Sequence, residues 1–140
     1  MSILYCALAG NPNVGKSTVF NALTGLHQHT GNWPGKTVET RTGIFRQGDY
    51  TIHITDLPGT YSLDAHSPEE AAAGEFLKTH TPDCVVIVCD CTTLSRNLIL
   101  ALQIMETAPR CVLCLNLMDE AKKRGSMWMR KSCPPCWDVL

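Results

Sequence analysis

At 140 residues, with 12 Lys+Arg against 13 Asp+Glu and a formal net charge of -1, the chain is sized for one domain and offers no polyanion-binding surface, so no nucleic-acid partner is expected. No run is long enough to span a bilayer and there is no signal peptide. The 8 cysteines, several inside apolar runs, therefore predict a reducing, cytoplasmic setting and not a disulfide framework.

Ile3 to Ala9 is an apolar run of strand length, and Thr18 to Leu23 reads as a helix ending near Thr24-Gly25. Between them, Gly10-Asn11-Pro12-Asn13-Val14-Gly15-Lys16-Ser17 matches G-x-x-x-x-G-K-[ST]. Glycines let the backbone of Gly10, Asn11, Asn13, Val14 and Gly15 wrap a diphosphate with its N–H groups inward. The helix start, through Thr18, adds a dipole that favours anionic oxygens. Lys16 supplies a point charge for the β/γ-phosphates, and the Ser17 hydroxyl is placed to ligate Mg2+. A phosphate-binding loop is predicted.

His27 to Thr40 is rich in Gly, Thr, His and Asn, and is expected to be a long mobile loop without a regular element. A threonine there can complete a Mg2+ shell when a γ-phosphate is present; composition does not choose among Thr30, Thr37 and Thr40. Strands at Thr42 to Arg46 and Tyr50 to Thr55 flank Gln47-Gly48-Asp49, a hairpin signal. Asp56-Leu57-Pro58-Gly59 is a D-x-x-G turn at a strand end, suited to hold Mg2+ through water at Asp56 and to present the Gly59 N–H to a γ-phosphate oxygen. Ser67-Pro68-Glu69-Glu70 starts a helix that runs to about Thr79.

Cys84 to Cys89 predicts a buried parallel strand, and Leu94 to Thr107 an amphipathic helix with Leu98, Leu102 and Met105 on its stripe. Cys111 to Asn116 predicts another buried strand, and Asp119 to Lys123 opens a further helix. The alternation implies an α/β fold with a mostly parallel sheet covered on both faces. An N-x-x-D turn at Asn116-Leu117-Met118-Asp119 can aim the Asp119 carboxylate at guanine N1 and N2 while Asn116 braces the loops. GTP and GDP are thereby favoured over adenine nucleotides; a plain helix cap at Asp119 is the alternative.

Taken together, GNPNVGKST, GNWPGKTVET, DLPGTYSL followed by HSPEE, and NLMD resemble the amino-terminal G domain of the ferrous iron transport protein B (FeoB) family, over residues 1 to about 125. The resemblance implies a P-loop NTPase of the Ras-like kind that lacks its last strand and helix, with a sheet edge and a core face left uncovered. It selects Thr37 as the Mg2+ ligand and gives Asn13 a role in binding K+ beside the phosphates. On that basis the catalytic set is Lys16, Asn13, Thr37 and Gly59, and the reaction is slow, potassium-stimulated GTP hydrolysis. Thr60 stands where Ras-like relatives carry a glutamine, and neither it nor His27, His29 or His66 is nominated as an acid or base. The partner implied is a polytopic membrane domain that moves Fe2+ and is absent from this chain, which places the domain on the cytosolic face. Lys36 departs from the commoner apolar residue of the family loop.

Residues 1–125 are read as the G domain and 126–140 as an aberrant tail. Cys133-Pro134-Pro135-Cys136 lacks a second ligand pair for a metal site. Met127-Trp128-Met129 must be ATG TGG ATG, and a shift of reading frame turns it into GTG GAT; one codon choice then continues as an amphipathic helix with a glycine stop. A frameshift with weakened nucleotide binding is the expectation. Other readings are a nucleotide-binding regulatory module with little turnover, a ribosome-assembly GTPase and a nonfunctional fragment.

Overall fold

The computed structural model describes residues 2–25, 28–35 and 37–125. Its chain order is β1 (Ser2–Gly10), α1 (Lys16–Thr24), β2 (Gln28–Asn32), β3 (Glu39–Gln47), β4 (Tyr50–Asp56), α2 (Pro68–His80), β5 (Cys84–Asp90), α3 (Leu94–Thr107), β6 (Cys111–Asn116) and α4 (Met118–Lys123). One six-stranded sheet runs β2-β3-β4-β1-β5-β6. β1 pairs in parallel with β4 on one side and β5 on the other, and β6 continues parallel to β5. β2, β3 and β4 are antiparallel neighbours. The sheet is thus mixed, and its parallel half carries the predicted α/β architecture.

The expected loop from His27 to Thr40 is corrected by β2, which pairs Gln28 to Asn32 against Glu39 to Gly43. His29, Thr30, Gly31 and Asn32 are exposed, as a polar strand on a sheet edge must be; no apolar alternation marks it because neither face is buried. The connection is short. The Trp33 N–H bonds the Val38 carbonyl at 2.8 Å, closing the turn between the two strands. The Gln47-Gly48-Asp49 hairpin forms as expected, with Gln47 opposite Tyr50 and Gly48 at φ 56°.

α2 begins as its sequence dictates. The Ser67 hydroxyl accepts from the Glu70 N–H at 3.1 Å, Pro68 takes the first position, and the Glu70 carboxylate accepts from the His66 N–H at 3.0 Å. Such reciprocal capping contributes about 1 kcal/mol. α3 has the predicted ends but turns a different face inward. Asn97, Leu100, Ala101 and Ile104 are buried, whereas Leu102 is 61% and Met105 43% exposed. Residues 98–102 are apolar all round, so periodicity cannot choose a face. The choice is made by Asn97, which donates to the Thr93 carbonyl at 2.8 Å and accepts from the Asp90 N–H at 3.2 Å.

Helices cover both sheet faces. α2 and α3 bury Ala73, Leu77, Leu100, Ala101 and Ile104 against Ala7, Ala9, Val85 and Ile87. On the other face α1 seats Phe20 on Leu8, Ile54 and Val88, and leaves Cys6, Phe45, Val86 and Cys114 half-buried. β6 is a correction of degree: expected buried, it is half-buried, with Val112 53% exposed, because among the described residues it is the sheet edge. No described helix is long and apolar enough to cross a membrane. The tail 126–140, with its frameshift expectation, and the positions of His27 and Lys36 lie outside the described residues.

Candidate functional site

Because β4, β1, β5 and β6 run parallel, their carboxyl ends share one rim of the sheet. Gly10 ends β1, Asp56 ends β4 and Asn116 ends β6, so three predicted motifs are delivered to that rim by strand direction alone. β1 sits where connections depart to both sides, and the loop from Asn11 to Gly15 rises from it into α1.

Two glycines in that loop are dictated by space. A Cβ on Gly10 would lie 2.7 Å from the Val88 carbonyl oxygen. Gly15 has φ 84°, and a Cβ there would lie 2.2 Å from Asn116 Nδ2. Asn116 occupies that space productively, donating from Nδ2 to the Val14 carbonyl at 2.9 Å. The bracing role expected of Asn116 is therefore a hydrogen bond between the end of β6 and the loop after β1. Val14 itself is buried on Phe20 and Leu8, which fixes the loop from below.

Lys16, the first residue of α1, forms an ion pair with Asp56 and donates to the Leu57 carbonyl at 2.7 Å. Asp56 is only 7% exposed. A carboxylate so buried needs its charge matched, and the ammonium does this across 40 residues of sequence. Ser17 and Thr37 join Lys16, Asp56, Leu57, Val38 and Pro58 around a cleft of about 300 Å³. Of the three candidate threonines, Thr37 alone lines it; Thr30 lies in β2 and Thr40 in β3. Two hydroxyls and a carboxylate are hard oxygen donors, a set that suits Mg2+.

The D-x-x-G segment is held against the phosphate loop. The Thr60 N–H bonds the Gly10 carbonyl at 3.2 Å and Thr60 is buried, while Gly59 lies close over Pro12. Farther on, the Leu63 N–H bonds Gln103 Oε1 at 2.9 Å, and the Arg96 guanidinium lies 4.7 Å from the centre of the Tyr61 ring. Thr18 is exposed in the first turn of α1, and Asn13 is exposed with φ 61°. Asn11 is buried, its Oδ1 without a hydrogen-bond partner among the described residues.

Asp119 is not brought to that cleft. It stands exposed in the first turn of α4, three residues beyond Asn116, after Leu117 in left-handed backbone at φ 59°. The sharp turn at Leu117 separates the two side chains, leaving Asn116 facing the loop and Asp119 in solvent. Arg41, Glu39 and Glu69 also line the cleft and were not signalled by any motif. Arg41 arrives because β3 pairs it opposite Asp56. Trp33 was likewise unmarked as a structural residue; it packs against the core cluster and its indole meets the Phe76 ring.

The six described cysteines carry no chemistry of this site. Burial pushes the Cys6 and Cys89 thiols up to about 11 and raises Cys114, so all three stay protonated near neutrality. Among the described residues no group of three or more His, Cys, Asp or Glu could hold a metal ion.

The family profile of ferrous iron transport protein B matches residues 4–131. The chain belongs to the FeoB family. It is 49% identical over 124 residues to an Fe(2+) transport protein A/Fe(2+) transporter FeoB fusion protein of Porphyromonas gingivalis, covering 88% of this chain and 15% of that protein. With the Fe(2+) transporter FeoB of Legionella pneumophila it shares 46% over 125 residues, 86% of this chain and 17% of that protein. It therefore spans less than a fifth of these curated relatives. The G domain of the T. maritima FeoB iron transporter superposes with a TM-score of 0.84 at 43% identity, over 92% of this chain and 82% of that one. The cytosolic domain of the same transporter in a GDP form gives a TM-score of 0.84 at 46% identity, over 88% of this chain and 48% of that one. In FeoB terms, the loop GNWPGKTVET is the end of β2, the closing turn at Trp33 and the start of β3.

Proposed function

We propose that this FeoB-family chain binds GTP and GDP with Mg2+ and hydrolyses GTP slowly, as the cytosolic nucleotide switch of a ferrous iron transporter. The observation that carries the proposal is the convergence of Lys16, Ser17, Thr37 and Asp56 on one cleft beside a phosphate loop braced by Asn116. In this reading the backbone N–H groups from Asn13 to Thr18 and the Lys16 ammonium hold the α-, β- and γ-phosphates. Lys16 exchanges its ion pair with Asp56 for the phosphates. Ser17, Thr37 and Asp56 would hold Mg2+, which would supply charge neutralisation to the phosphates. The Gly59 N–H meets a γ-oxygen, Asn116 keeps the loop in shape, and Asp119 accepts from guanine N1 and N2.

Asn13, exposed on the loop, would hold K+ through its side-chain oxygen, a hard donor, and the cation would supply positive charge where an arginine acts in other GTPases. No side-chain base is assigned: Thr60 is buried and its N–H is engaged with Gly10. The same fact favours the second reading, a nucleotide-binding regulatory module with little turnover. Phosphate release measured in K+ against Na+ separates the two, potassium stimulation supporting the enzyme and equal near-zero rates the module. Titration of a fluorescent GDP against Asp119→Ala tests the base assignment. A loss of about a hundredfold is expected, and unchanged affinity removes guanine from the proposal.

A further inference from the structure

Resting on the reading of Thr37 as the Mg2+ ligand, we infer that Trp33 is the positioning residue that sets Thr37 in the cleft and ties it to α2. Trp33 and Val38 bracket the turn that carries Thr37. The Trp33 N–H bonds the Val38 carbonyl at 2.8 Å, and Val38 is only 7% exposed, so both ends of the turn are pinned while Thr37 projects exposed between them. The indole of Trp33 reaches α2. It meets the Phe76 ring edge-on, 5.4 Å between centres at 79°, and Phe76 stacks on His80 at 4.4 Å. Trp33 also packs on the cluster containing Leu57, Ala73 and Leu77. A single side chain thus joins the Thr37 turn to Phe76 in α2, the helix that follows the D-x-x-G segment.

The indole Nε1 is buried with no hydrogen-bond partner among the described residues, and the described contacts of the ring are packing contacts. Movement of Thr37 on nucleotide exchange therefore shifts Phe76 and α2, and the reverse holds equally.

The test uses the full chain with Trp128→Phe and Trp137→Phe, which leaves Trp33 as the single tryptophan. Release of a fluorescent, non-hydrolysable GTP analogue is followed against Mg2+ concentration, alongside Trp33 emission. Trp33→Ala is expected to raise the Mg2+ midpoint by about tenfold and Phe76→Leu by about threefold, as befits loss of an aromatic pair, with Trp33→Phe restoring the parent value. Magnesium-free release should stay within about twofold, because the phosphate loop is untouched. In the parent, magnesium with the analogue should shift Trp33 emission. Thr37→Ala is the reference: if it raises the midpoint and Trp33→Ala does not, the positioning role is overturned. If Thr37→Ala leaves the midpoint unmoved, the ligand reading fails first and the inference falls with it. Equal losses with and without Mg2+ mean a purely structural tryptophan and also overturn it. Should Trp33→Ala not fold, Phe76→Leu decides, an unmoved midpoint being fatal.

Discussion

Replacing Asn116 by Ala removes the donor that joins the end of β6 to the phosphate loop. The Val14 carbonyl then loses its 2.9 Å partner beside a side chain only 2% exposed. A part-buried carbonyl left without a partner costs about 1–3 kcal/mol, and a midpoint of about 2 corresponds to roughly thirtyfold in affinity. The loss should appear in equilibrium binding of a fluorescent GDP, with a smaller fall in thermal midpoint, because the loop matters more to the ligand than to the core. A second substitution sharpens the reasoning. Gly15→Ala alone suffers both its φ of 84° and the approach of Asn116 Nδ2 to 2.2 Å. In the Asn116→Ala background that approach is gone and only the backbone strain, about 1–2 kcal/mol, remains. The double variant should therefore bind more tightly than the sum of the single losses implies, by at least about 1 kcal/mol. Strict additivity, or an Asn116→Ala protein that binds within about twofold of the parent, would refute the bracing role.

Ile104→Ala should cost about 2–4 kcal/mol in urea unfolding, since Ile104 is wholly buried, whereas Leu102→Ala should stay within about 0.5, its side chain being 61% exposed. Reversal of that order would restore the stripe expected from periodicity. Lys16→Ala should weaken GDP binding and also lower the stability of the nucleotide-free chain by about 3 kcal/mol, read as a urea midpoint, because it strands the buried Asp56 carboxylate. Cys6 and Cys89 have folded pKa values raised from 9.0 to about 11, so the folded state retains protons that the unfolded state gives up. Stability should be level below pH 9 and fall as pH rises from 9 to about 11. Chemical denaturation across that window checks the sign, and Cys89→Ala should flatten the fall.

Much of the fold was legible because parallel strands buried on both sides read as unbroken apolar runs. Val85 to Cys89 is such a run, and the element β5 has the predicted start. The capping of α2 was equally plain, since Ser67 and Glu70 each accept from a defined backbone N–H and Pro68 removes one donor that would have no helical partner. β2 escaped because an edge strand exposed on both sides has no hydrophobic signature; it is specified by the partner strand and not by its own residues. The inward face of α3 escaped for the opposite reason. Its apolar residues surround the helix, and a buried asparagine, the residue type least expected inside, sets the rotation. Of the site, the motif residues were readable as chemistry, and strand direction explains why they gather. Arg41 was not readable, since its place in the cleft follows from the β3–β4 register. Trp33 could be read only as part of a motif, because its partner Phe76 lies 43 positions away and no local pattern links them.

The bond from Asn116 to Val14 spans 102 positions. During synthesis the ribosome must therefore finish nearly the whole described chain before the loop near its beginning acquires its final brace. Until then the emerging protein holds a glycine-rich segment with the right letters and no fixed shape. Completion of that loop is thus a late event in the life of the molecule, tied to the arrival of β6.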